Sequence, residues 1–333
     1  MEYTETMGID ISKATFDVYL HLGRKHRKFR NNLSGFEALI NWANKLCELE
    51  KCLICLEHTG AYSVPISTFF TKRSQPFCIV SGLEIKRSIG LKRGKDDQID
   101  ALRIAEYAWL RRDQLKLTVI RSEKLFQLQK LLRLRARYTE HRKAFKNSQN
   151  ENKAMFTKSE LPDVFRMEEQ SIDWLNKRIK KTEELIHKII EGDQQLKKLF
   201  ELMNSITGIG LVIATNMLVL TSGFTQFKDS RKFACYAGVA PFPHRSGTSI
   251  LYKDRVSHSA NKKIKALLNL AALNAVKYDP ELKHYYERKQ LEGKNRMTIL
   301  NAVRNKLIHR IFAVVNRGTP YVQLKSYAST SMN

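Results

Sequence analysis

The chain has 333 residues, enough for more than one domain, and 43% hydrophobic content, ordinary for a globular protein. Lys+Arg number 58 against Asp+Glu 33, leaving a formal charge of +25. That excess selects for a polyanionic partner, nucleic acid first. No apolar run approaches the roughly 20 residues a membrane span needs. No basic segment followed by an apolar one opens the chain, so no secretion signal is expected.

The first 120 residues read as α/β. "TETMGIDIS" alternates, with Met7, Ile9 and Ile11 on one face and Asp10 on the other, a strand pattern. "TFDVYLHL" and "HRKFRNN" follow after short breaks and predict two more antiparallel strands. Ser34 is the expected cap of a helix over "SGFEALINWANKL". "KCLICLE" reads as a buried strand ending at Glu57, so Cys52 and Cys55 point to opposite faces rather than sharing a ligand or a disulfide. The five cysteines suit a reducing cytoplasm. "AYSVPISTFFTKR" is an expected helix, "PFCIV" a strand, and "DDQIDALRIAEYAWLRR" a helix with Ile99, Leu102, Ala105 and Ala108 along one side.

Composition changes near Ser122. Residues 122–156 contain no Gly or Pro and predict one long, strongly basic helix. Arg133, Arg135, Arg137, Arg142, Lys143 and Lys146 lie along it and suit a phosphate backbone, DNA or RNA. Tyr138 and Phe145 are expected to pack rather than to stack on bases. After a break at "KSELPD", Ile172, Leu175, Ile179, Thr182, Ile186 and Ile189 recur at 3-4 spacing, the seam of a coiled coil. The two helices form an antiparallel hairpin or pair between subunits. From about residue 201 the chain is mainly helical: "GLVIATNMLVL", "SRKFACYAGVAP", "SANKKIKALLNLAALNAV" and "TILNAVRNKLIHRIFAVV". The turn before the first, "SITGIG", suits either a phosphate contact at a helix start or a tight interhelical turn.

Two constellations carry chemistry. Asp10 and Glu57 converge if their strands are parallel neighbours. Asp97 and Asp100 share a face at a helix start. Four carboxylates in one place need a cation, and hard oxygen ligands suit Mg²⁺ or Mn²⁺. Taken singly, the helix-start pair also serves the helix dipole. The second constellation is the polar loop "PHRSGTSILYKDR", with Ser246, Ser249, Arg245, Lys253 and Arg255. Its serines are turn hydroxyls or, with cations offsetting charge on a phosphate, nucleophiles. Lys262 and Lys263 follow and extend the basic surface.

"GIDISK", "LEHTG", "KDDQIDA", "SITGIG", "FACYAGVAP" and "HRSGTS", in that order, resemble the DEDD transposases of the insertion-sequence 110 class, whose relatives include bridge-RNA-guided recombinases and Piv-type DNA invertases. The resemblance runs over nearly the whole chain. It implies a ribonuclease-H-like (RuvC-like) catalytic domain at 1–120, with Asp10, Glu57, Asp97 and Asp100 as the metal-binding tetrad. It implies a coiled-coil dimerisation region at 121–200. A mainly α C-terminal transposase domain at 201–333 would carry a nucleophilic serine, Ser246 with Ser249 as the second choice. It further implies DNA strand exchange through a phosphoserine link, a structured guide RNA, dimers assembling to tetramers, and action in the prokaryotic cytoplasm at the nucleoid. In "KDDQIDA", Asp96 stands where many relatives carry Thr, while the DxxDA spacing is kept. Alternative readings are a Piv-like invertase, a metal-dependent nuclease or junction resolvase using water, an actin-like ATPase suggested by "GIDIS" alone, and a binding protein without catalysis.

Overall fold

The computed structural model describes residues 3–60, 62–89, 97–118, 122–240, 242–246, 250–255 and 260–323. For Ile89, Asp97 and the strands between 242 and 255 only the backbone is described. The chain divides into two compact units, Met1–Ile120 and Arg121–Asn333.

The first unit is a five-stranded sheet. β1 (Glu5–Ile11), β2 (Thr15–Leu20) and β3 (Lys25–Arg30) are antiparallel neighbours, and β4 (Cys52–Glu57) and β5 (Phe77–Val80) continue the sheet parallel to β1, in the order β3-β2-β1-β4-β5. Met7, Ile9 and Ile11 alternate onto one face, as their period-2 spacing predicts. There they pack with Phe36 and Leu39 of α1 (Leu33–Ala43) and Ile66 and Phe70 of α2 (Val64–Lys72). The opposite face buries Leu53, Cys55 and Cys78 against Ile85 of α3 (Gly82–Ile89) and Ile104, Tyr107 and Ala108 of α4 (Asp97–Arg111). Cys52 and Cys55 therefore fall in different cores, and all five cysteines are free thiols.

Two local expectations, the α1 cap and the buried stripe of α4, are corrected, and the proline-containing helix is found as expected. The α1 cap is Asn32, whose side chain accepts from the Gly35 N–H; Ser34 lies inside the helix and its hydroxyl donates to Asn32. Pro65 occupies the first turn of α2, where a missing N–H costs nothing. The buried stripe of α4 is Ala101, Ile104, Ala105 and Ala108, while Ile99 is 37% exposed. Close approach to β1 demands small side chains at the crossing, and those are the alanines.

In the second unit, α5 (Glu123–Met155) and α6 (Pro162–Glu191) pair antiparallel within the chain. Ser122 caps α5, and Pro162 opens α6. Phe165, Ile172, Leu175, Ile179, Thr182, Ile186 and Ile190 form the buried stripe of α6. Ile190 thus takes the place expected of Ile189, which is only partly buried. Rungs between the helices run in opposite directions along the chain: Arg135 to Glu183 at 2.7 Å, Arg142 to Asn176 at 3.0 Å, and Ser148 to Glu168 at 2.7 Å. Tyr138 meets Trp174 edge-on across the pair, whereas Phe145 is 37% exposed.

The helices that follow are α7 (Gln194–Asn204), α8 (Leu211–Thr221), α9 (Ser230–Tyr236), α10 (Lys262–Tyr278), α11 (Pro280–Leu291) and α12 (Arg296–Arg317). Leu125, Leu128 and Leu132 of α5 share one core with Phe200, Met217, Phe233, Leu268 and Leu307. No described helix is long and apolar enough to cross a membrane.

Candidate active site

The strands and α4 bring the sequence-predicted acids to one edge of the sheet. β1 and β4 run in register from Glu5↔Cys52 to Ile9↔Leu56. The next step sets Asp10 beside Glu57, at the carboxyl ends of two parallel strands and on the same face. α4 crosses that face. Thr6 Oγ1 donates to the Ala105 carbonyl at 2.9 Å, and the Cα of Gly8 abuts the backbone of Ala101 and Ala105. A Cβ on Gly8 would overlap the Ala101 carbonyl oxygen. Along β1 from Thr6 to Gly8 the contacts on α4 retreat from Ala105 towards Ala101, so Asp10 lies towards the start of α4, where Asp97 and Asp100 stand.

Asp10 and Glu57 are half-buried, and so is Asp100. Asp100 Oδ1 accepts from Arg103 Nη1 at 3.0 Å, one turn along the helix. The Glu57 carboxylate lies directly over the Cα of Gly82, where any Cβ would collide with it. Across the β1–β2 register Asp10 faces Asp17, itself 4% exposed. Asp17 is held by His26 at 2.8 Å and Lys28 at 3.2 Å, both from β3. The geometry thus collects Asp10, Glu57 and Asp100 at one edge, and the backbone of Asp97 with them; the Asp97 side chain lies outside the described residues. Among the described residues no three acidic, histidine or cysteine side chains are close enough to hold one metal ion. The donor chemistry nonetheless fits a hard cation, and the bare Gly82 leaves room for a carboxylate turned towards one.

Gly82, Asp17, His26 and Lys28 were missed in the sequence. Only the alternation of β2 and β3 could have set Asp17 and Lys28 on the face of Asp10, and nothing marks Gly82 before the fold is known.

The serine segment is a β-ribbon rather than the expected loop. β6 (Phe242–Ser246) and β7 (Ile250–Arg255) pair antiparallel, with Ser246 opposite Ile250 at the ribbon's tip. Ile250, Leu251 and Tyr252 favour the extended state. The register shifts between Phe242 and His244, where Pro243 has no N–H for the ladder. Arg245 belongs to β6, and Lys253 and Arg255 belong to β7. Ser249 lies outside the described residues. Lys262 and Lys263 are exposed at the start of α10.

The basic positions on α5 separate into two kinds. Arg133, Arg137, Lys143 and Lys146 are exposed. Arg135 and Arg142 are half-buried and tie α5 to α6 through Glu183 and Asn176. At "SITGIG", Gly208 has φ +93° and its Cα faces α10, where a Cβ would stand 2.7 Å from the Ala271 carbonyl. Close helix packing accounts for that glycine.

Comparison with known proteins matches the same regions. Residues 7–151 match the IS110 DEDD transposase family, and residues 200–287 match the transposase IS116/IS110/IS902 family. The pilin gene-inverting protein of Moraxella lacunata is 28% identical over 332 residues, covering 95% of this chain and 97% of that protein. Its namesake from Moraxella bovis is 27% identical with the same coverage. An insertion element IS110 protein of 43.6 kDa from Streptomyces coelicolor is 31% identical over 119 residues, 36% of this chain and 29% of that protein. The chain belongs to the IS110-class transposases and is a DNA transposase/recombinase.

Proposed function

We propose that this recombinase cuts and rejoins DNA through a covalent phosphoserine at Ser246, with Ser249 the alternative nucleophile. Asp10, Glu57, Asp97 and Asp100 would hold Mg²⁺ or Mn²⁺. The observation that carries the reading is the meeting of Asp10, Glu57 and the start of α4 at one sheet edge. A bound divalent ion would supply Lewis-acid activation of the phosphodiester.

The serine Oγ attacks phosphorus, an Oγ–P bond forms, and the P–O bond to the departing DNA strand breaks. The proton lost from serine ends on the departing oxygen. Rejoining reverses the step with a different DNA hydroxyl, so bond energy is conserved and no ATP is consumed. Arg245, Lys253 and Arg255 offset the charge that builds on the phosphate. Trapping tests this: full-length protein and nicked DNA should yield a covalent adduct that survives denaturation and disappears in Ser246→Ala. Free cleaved ends without adduct would instead indicate hydrolysis by water.

The order β3-β2-β1-β4-β5 supports a ribonuclease-H-like (RuvC-like) reading of residues 1–120. The helical hairpin supports residues 121–200 as the coiled-coil region, and the ribbon with its serine supports 201–333 as the transposase domain. We also infer a structured guide RNA, dimers pairing into tetramers, and action at the prokaryotic nucleoid. The exposed cations of α5 support the RNA, and sequencing of nucleic acid that co-purifies with the protein tests it. Among reaction types, inversion is favoured by the near full-length likeness to proteins named for inverting a pilin gene.

A further inference from the structure

The second unit contains a buried guanidinium with no counter-ion among the described residues. Arg304, on α12, is 4% exposed. Its Nη2 donates to Asn269 Oδ1 at 2.8 Å and its Nη1 to Asn301 Oδ1 at 3.3 Å, both neutral acceptors. Its Nε–H is buried without any acceptor. Among the described residues no carboxylate forms an ion pair with it. Lys265 stands half-buried beside it on α10, one turn before Asn269, and burial together with the neighbouring Arg304 charge pushes the Lys265 amine down. Asn305, next along α12, also has a buried Oδ1 without a partner.

Arg310 on the same helix makes the contrast. It is paired with Asp279 at 2.7 Å and with Glu281. At that arginine the fold supplies two acids. A buried charge left unpaired is strongly destabilising, and among the described residues the Lys265–Arg304 cluster has no compensating acid. Residues 201–333 carry 20 Lys+Arg against 7 Asp+Glu, a net +13, so acids are scarce in this stretch of the chain.

We propose that Lys265 and Arg304, framed by Asn269 and Asn301, form an anion site that takes a backbone phosphate of the DNA substrate. The two asparagines fix the plane of the guanidinium and leave N–H donors free, the arrangement suited to phosphate oxygens. Half-buried Lys265, Asn269 and Asn301 form the side through which a phosphate arrives. Asn301 also donates to the Val239 carbonyl at 2.7 Å, just before β6 begins. Phosphate binding would therefore stiffen the root of the ribbon that carries Ser246. The inference rests on DNA as the substrate and is independent of which serine reacts.

The test uses the full-length chain with Arg304→Met and Lys265→Gln. Without ligand, Arg304→Met should melt at a higher temperature than the unmodified protein, because an unpaired buried charge has been replaced by an apolar side chain. Inorganic phosphate should raise the melting temperature of the unmodified protein more than that of Arg304→Met. A labelled DNA duplex should bind each variant about tenfold more weakly. The salt dependence should fall by about one counter-ion for Lys265→Gln. Unchanged DNA affinity in both variants, or equal phosphate stabilisation of all proteins, overturns the site. Loss confined to an RNA duplex overturns the assignment to DNA. If Arg304→Met does not fold, half-buried Lys265→Gln decides alone. If the unmodified protein binds no DNA, the substrate reading fails, and the phosphate melting comparison still decides the site.

Discussion

Gly82 carries no side chain because the Glu57 carboxylate occupies the space a Cβ would fill. β4 ends at Glu57, and α3 begins at Gly82 just past the end of β5, so the two meet at the carboxyl edge of the sheet. Gly82→Ala should leave the fold intact, because a flexible carboxylate can swing aside. It should nevertheless move a proposed metal ligand, and displacement of about 1 Å at a reacting centre costs about 100-fold in rate. Strand cleavage at saturating Mg²⁺, measured beside an unchanged melting curve, checks this. Full activity in Gly82→Ala would separate Glu57 from the chemistry.

At Gly8 the obstacle is backbone, which cannot swing. A side chain there meets the Ala101 carbonyl and the Ala105 amide, so β1 and α4 must part. Gly8→Val should destabilise the first unit by about 3 kcal/mol or more, at the upper end of overpacking effects. Urea denaturation followed by a probe in that unit reads it. A loss below about 1 kcal/mol would mean that α4 has freedom the close packing denies.

These glycines mark where the sequence stops being legible. Period-2 spacing of Met7, Ile9 and Ile11 assigns β1 and its buried face without reference to anything distant, and the 3-4 spacing on α6 does the same. Asp10 and Glu57 are legible because one lies on the polar face of a recognisable strand and the other ends one. Asp17 is not, because its role depends on the lateral register Asp10↔Asp17, which only the folded sheet sets. The segment around Ser246 looks like a loop in sequence because Pro243 and Gly247 outweigh two short extended stretches. α11 is illegible for the opposite reason: it is a regular helix with only Leu282 buried, so it has almost no periodic signal.

The cations of α5 should divide by function as they divide by structural role. Replacing Arg133, Arg137, Lys143 and Lys146 with Gln should lower the salt dependence of nucleic-acid binding by about one counter-ion for each phosphate no longer neutralised. Melting temperature should hardly move, since exposed charges contribute little to stability. Arg135→Gln should behave the other way, loosening the α5–α6 pair at Glu183 with little change in salt slope. Anisotropy titrations across a range of salt, set beside melting curves, distinguish the two classes.

Asp193 supplies a pH dependence with a definite sign. It caps α7 through the Gln195 and Leu196 N–H groups and reaches Lys124 of α5 at 3.0 Å. The Leu196 amide, then Lys124, hold its carboxyl below the usual aspartate range. A depressed folded-state pKa gives stability present above the unfolded value of about 3.9 and lost as pH falls through the folded value. Asp193→Ala should therefore cost about 1–2 kcal/mol at pH 7, and the gap to the unmodified protein should shrink on acidification below the aspartate range. Asp193→Ser keeps a capping oxygen without a titrating group, so its capping contribution should not fade with acid. Urea denaturation of all three proteins at neutral and acidic pH measures these differences.

Ser246 and the carboxylate edge belong to different units of the chain, and the proposed chemistry needs them at one phosphate. If each active site combines one subunit's tetrad with another subunit's serine, defects in the two should complement. Asp10→Ala and Ser246→Ala chains are each expected to be inactive, by about 1000-fold or more for groups of this kind. Mixed and allowed to exchange subunits, they should regain a fraction of the unmodified activity, because some assemblies then contain an intact acid edge facing an intact serine. Adduct formation should appear only on the Asp10→Ala chain, which still has its serine. Recovery with the adduct on that chain supports a shared site; persistent inactivity across all mixing ratios, with exchange verified by differently tagged chains, places tetrad and serine within a single chain.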